Sequence, residues 1–84
     1  MTERLNVDFN PAEGAVVRMV GLVERRGYVV RGLTMAEQSG TASLSIDVEP
    51  RDSARRVHVL AQQLGRLVDV TRVTFATVEL GLPS

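Results

Sequence analysis

An 84-residue chain with 44% hydrophobic residues suffices for one domain around a single core, and its few aromatics, Phe9, Tyr28 and Phe75, leave that core mainly aliphatic. Ten basic residues, all arginine, balance ten carboxylates, which argues against a partner held mainly through phosphates, and the lack of cysteine excludes a disulfide framework or a thiolate metal site. Met1-Thr2-Glu3-Arg4 lacks the apolar core of a signal peptide, and no apolar run approaches the roughly 18–20 residues that span a bilayer, so a soluble, cytoplasmic domain over residues 1–84 is expected.

Leu5, Val7 and Phe9 alternate with Asn6 and Asp8, the period of a strand with one wet face. Asn10-Pro11-Ala12-Glu13-Gly14 breaks that pattern. Either Asn10 caps a helix with Pro11 in its first turn and Glu13 closing a capping box, or these residues form a loop and the helix begins near Gly14. In both cases a helix runs to about Arg26 with Val16, Met19, Val20 and Val23 on its buried face, and Leu22 falls on the opposite side. Gly21 suggests a close packing contact within that helix, and Gly27 is its left-handed stop.

Tyr28 and Val30 share one face of the next strand, whereas Leu33 and Met35 continue in the opposite phase. A bulge at Gly32 would turn all four inward. After a turn at Ser39-Gly40, Ala42, Leu44, Ile46 and Val48 alternate with polar residues. Pro50-Arg51-Asp52 introduces a second helix, capped by Asp52 or Ser53, with Ala54, Val57, Leu60, Ala61 and Leu64 as its stripe and Gly65 as its end. A last strand covers roughly Val70 to Val78 with Val73 and Phe75 on one face, and residues 79–84 form a loose tail. The order βαββαβ predicts an α+β fold, the ferredoxin-like sandwich: a four-stranded antiparallel sheet with two helices on one face. The second strand of such a sheet lies at an edge, which predicts a homodimer paired through residues 28–35.

Catalytic chemistry is not visible. His58 is the lone histidine and sits beside the stripe of the second helix, with no further histidine or cysteine to complete a metal site. The serines at 39, 43 and 45 fit turn or strand-surface roles, and the carboxylates are scattered. Ferredoxin-like sheets that bind RNA stack bases on aromatic residues, but the outward positions here are Asn6, Asp8, Ser43, Ser45 and Asp47, so nucleic acid is disfavoured. The turn from Asn10 to Ala15 precedes a helix N-terminus, where backbone N–H groups suit a carboxylate and Gly14 permits close approach; a simple capped turn explains the same residues. Val59 is an apolar side chain off the buried stripe, in keeping with a protein partner.

Gly14-Ala15 at the helix start, Gly21-Leu22-Val23 and Arg26-Gly27-Tyr28 at its end, Leu33-Thr34 in the following strand, and Leu64 to Val73 near the C-terminus together carry a resemblance. In that order they resemble the regulatory modules called ACT domains, and within them the small subunit of acetolactate (acetohydroxyacid) synthase. The resemblance implies a non-catalytic regulatory subunit. Its partner is then a catalytic large subunit that holds thiamine diphosphate, flavin (FAD) and magnesium and condenses 2-oxo acids for branched-chain amino-acid synthesis; this chain itself holds no cofactor.

In such subunits valine, the feedback inhibitor, lies between two ACT domains. Carried over, that implicates Asn10, Gly14, Ala15 and Val16, with Val29 and Val30 from the strand, as an amino-acid site. Two departures weaken it: Val29 stands where many valine-responsive members have asparagine, and the Asn10-to-Gly14 loop is one residue longer. With no second domain in the sequence, the chain resembles the short, isozyme II type, in which activation is expected and valine sensitivity is not. The competing expectation is a free-standing ACT domain that senses an amino acid for another enzyme or regulator.

Overall fold

The computed structural model describes residues 2–78, so the expected tail at 79–84 lies outside the described residues. The elements are β1 (Thr2–Phe9), α1 (Ala15–Arg25), β2 (Tyr28–Gln38), β3 (Thr41–Pro50), α2 (Val57–Gly65) and β4 (Val70–Val78). Every strand pairing is antiparallel and the sheet order is β2-β3-β1-β4, the ferredoxin-like arrangement the alternation predicts. The Cα extents of 34 × 30 × 17 Å match one sheet covered on one side by helices.

β1 and β3 are central, and their alternation decides the core. Leu5 pairs with Ile46, Val7 with Leu44 and Phe9 with Ala42, and all six are buried. Met19, Val23, Leu60 and Leu64 close over them from the helices. α1 packs over β2 and α2 over β4. Ser39 and Gly40 both take positive φ, 53° and 82°, which makes a two-residue hairpin between Gln38 and Thr41 with the twist that antiparallel strands need.

The phase break in β2 is a bulge. Val30 pairs with Val48 and Gly32 with Asp47, so Arg31 is the extra residue. Beyond it Leu33 opposes Ile46 and Met35 opposes Leu44, and all four expected side chains lie on the helix side of the sheet. Only Tyr28 is buried, however; Leu33 and Met35 remain 48% and 44% exposed because β2 is an edge strand that continues past the cover of the helices.

The helices decide between the two alternatives for the start of α1 and correct the sequence reading in three further places. Asn10 and Glu13 form no capping box; α1 starts at Ala15 with Gly14 at its N-cap and without a side-chain cap. Its buried stripe is Ala15, Met19, Leu22 and Val23, so Leu22 faces the core, while Val16 and Val20 are only half-buried. Arg18, on the opposite flank, reaches Asp69 at the start of β4, so the Val16–Val20 flank is turned toward the β2 side of the sheet. Gly21 makes no close packing contact, since a Cβ there would meet only the Arg25 guanidinium, at 3.3 Å. Finally, α2 begins at Val57: the Asp52 carboxylate accepts the Ala54 N–H at 3.0 Å inside a turn, which leaves Ala54 exposed outside the helix.

Candidate functional site

The segment between β1 and α1 is a tight loop held at both ends. The Asn10 N–H donates to the Asp69 carbonyl at 2.8 Å, tying the loop to the start of β4. Inside it, the Ala12 N–H donates to the Asn10 carbonyl at 2.8 Å and the Ala15 N–H to the Ala12 carbonyl at 3.1 Å. Gly14 has a φ of 79°, a left-handed conformation that glycine adopts without penalty. Arg18, one turn into α1, folds back over it: its Nη1 donates to the Glu13 carbonyl at 3.2 Å and its Nη2 forms a salt bridge with Asp69. A Cβ on Gly14 would stand 3.1 Å from that guanidinium. The amides of Val16 and Val17 belong to the first turn, where a helix has no intrahelical acceptor to offer and its dipole favours an anion.

Asn10 and Gly14 are exposed, Ala15 is buried, and Val16 is half-buried at the helix edge. Val29 and Val30, also half-buried, are elsewhere. Val30 lies level with Val48 and Glu3, at the opposite end of β1 from Phe9 and the loop. Glu3 and Phe9 are about 20 Å apart along the strand. One chain therefore does not gather the six expected residues. Val29 opposes Glu49 on the open face of the sheet, and only Val30 shares the helix side with the loop.

Arg18 and Asp69 are the residues that sequence reasoning missed. They stand 51 positions apart, and no local periodicity links them.

The open face of the sheet is a satisfied polar ladder. Ser43 donates to Asp8 at 2.9 Å, Ser45 donates to Asn6 at 2.7 Å, and Arg4 makes a two-pronged contact with Asp47 at 2.7 and 3.1 Å. That contact raises the Arg4 pKa further. Phe9, Tyr28 and Phe75 all pair on the helix side, so the open face carries no platform for stacking bases. His58 is exposed on α2. No helix among the described residues is long and apolar enough to cross a membrane.

The sequence pattern of the ACT domain family matches residues 11–73. The isozyme 3 small subunit of acetolactate synthase from Escherichia coli (strain K12) is 30% identical over 74 residues, 88% of this chain and 45% of that one. The chain thus spans about half the length of the curated relatives it matches. Among solved structures, the acetolactate synthase small subunit of Thermotoga maritima superposes with a TM-score of 0.73 at 24% identity, over 88% of this chain and 46% of that one. The ACT domain of a GTP pyrophosphokinase from Chlorobium tepidum superposes with a TM-score of 0.74 at 10% identity, over 90% of this chain and 97% of that one.

Proposed function

This chain belongs to the ACT domain family, and from that premise we propose that it is a non-catalytic regulatory subunit that binds and activates the large subunit of acetolactate synthase. The observation that carries this reading is the match over 88% of the chain to a small subunit of that enzyme. In this reading thiamine diphosphate, flavin and magnesium, and the condensation of 2-oxo acids, belong to the large subunit. This chain supplies a fold and a surface.

The working form is a homodimer joined through β2. Two features support it: β2 is an edge strand with a row of backbone groups free to pair, and Leu33 and Met35 are half-exposed on its helix side beside the Val16–Val20 flank of α1. Antiparallel pairing of two copies of β2 about a two-fold axis sets the start of one strand beside the end of the other. The Val29–Val30 segment of one copy then approaches the Asn10–Val16 segment of the other, and the six residues that one chain keeps apart come together across the interface. The first-turn amides of α1 would receive the carboxylate of an amino acid there.

Co-purification tests the partner. A tagged copy of this chain should retain a thiamine-diphosphate-dependent large subunit through size-exclusion chromatography. If the two elute apart, the chain is instead a free-standing sensor serving another enzyme.

A further inference from the structure

A second site stands at the other end of the sheet from the Asn10–Gly14 loop. Arg25, Arg26, Arg51, Arg55 and Arg56 gather where α1 ends, β2 begins and the loop after β3 enters α2, among the carboxylates of Glu3, Glu24, Glu49 and Asp52. Arg26, Arg55 and Arg56 line a pocket of about 190 Å³, which Tyr28, Val59 and Leu60 also line.

Its cations are only partly engaged. Arg26 donates to the Gln63 side chain at 3.1 Å, Arg55 stands 3.5 Å from the Asp52 carboxylate, and Arg56 makes no salt bridge among the described residues. Gly27, at a φ of 90°, lets the Arg55 guanidinium pack against the backbone, 2.5 Å from where a Cβ would be. Tyr28, 2% exposed, lines the pocket wall beside Val59 and Leu60, with its hydroxyl buried away from the opening.

We propose that this pocket is a binding site for a small carboxylate with a short apolar body. The guanidinium groups of Arg55 and Arg56 meet the carboxylate, and the body lies against Val59, Leu60 and the Tyr28 ring. The size agrees, since a cavity of about 150 Å³ accommodates a benzene ring. Inorganic phosphate would satisfy the arginines but leave the apolar wall uncovered, and a neutral alcohol of the same shape would leave the arginines unmatched.

The test is a titration of the whole ¹⁵N-labelled chain with 3-methylbutanoate, followed by amide shifts, with inorganic phosphate and 3-methylbutan-1-ol as controls at matched ionic strength. The site predicts saturable shifts at Gly27, Tyr28, Val59 and Leu60 with the carboxylate alone. It also predicts binding weakened by at least about tenfold after combined Arg55→Ala and Arg56→Ala substitution, the least expected for removing charge-assisted hydrogen bonds. Both arginines are exposed, and unchanged amide shifts in β1 and β3 would verify that the variant keeps its fold. The proposal is overturned by an absence of saturable shifts, by an equal response to phosphate or to the alcohol, or by undiminished affinity in the double variant. Because the readout involves no large subunit, its failure would leave the regulatory assignment standing.

Discussion

Tyr28 and Gly27 show how much a single position determines here. Burial pushes the Tyr28 phenol above its ordinary value, and Arg55 nearby opposes the shift only in part. A phenol that keeps its proton longer in the folded chain than in the unfolded one binds more protons when folded, so its contribution to stability is present below the unfolded pKa and is lost as pH rises beyond about 10. The chain should therefore lose stability from that pH upward, and Tyr28→Phe should flatten the loss. Because Tyr28 is the sole tyrosine, absorbance near 295 nm reports its ionisation without interference. Gly27→Ala would impose a left-handed backbone on alanine and displace Arg55; a cost of about 1–2 kcal/mol is expected from the urea midpoint. In the core, Ile46 is fully buried between Leu5 and Leu33, and Ile46→Ala should cost about 2–5 kcal/mol by the same measurement.

At the scale of elements, the unpartnered side of β2 is the most consequential. Leu33→Glu with Met35→Glu places two charges on an edge that the helices leave half-exposed, so each chain should keep its fold while self-association falls. Sedimentation of the parent chain at micromolar concentration should give a dimer, and the variant a monomer with unchanged circular dichroism. A parent chain that sediments as a monomer would remove the interface. The sheet was legible in the sequence because its central strands alternate: Ala42 to Val48 is unambiguous, and in β2 the bulge is marked by Gly32 where the phase slips. The helices were less so. The expected stripe, Val16, Met19, Val20 and Val23, and the observed one, Ala15, Met19, Leu22 and Val23, share two residues and differ by a rotation of the helix about its axis, which only tertiary packing decides. The start of α2 was misplaced because Ala54 fits the apolar spacing, while the Asp52 turn that excludes it from the helix competes through a side-chain-to-backbone bond. The loop clamp of Arg18 on Asp69 had no local signal at all.

At the scale of the whole molecule, the two ends of the sheet differ in chemistry: a helix N-terminus at the Asn10–Gly14 end and arginines around an apolar pocket at the Gly27 end. In the proposed dimer the first would receive an amino acid at the interface, yet valine is expected to bind weakly or not at all. Its ammonium needs an acceptor, and Val29 offers no side-chain oxygen. Losing one charge-assisted hydrogen bond costs about 1.5–3 kcal/mol, or roughly ten- to a hundredfold in affinity. Calorimetric titration with valine, leucine and isoleucine should show little heat; saturable valine binding in the micromolar range would restore a feedback role.

The regulatory assignment itself is tested most directly by reconstitution. A purified large subunit from the same source, supplied with thiamine diphosphate, flavin and magnesium, should form acetolactate faster when this chain is added, while the chain alone forms none. An unchanged rate at saturating amounts of the chain would contradict the account.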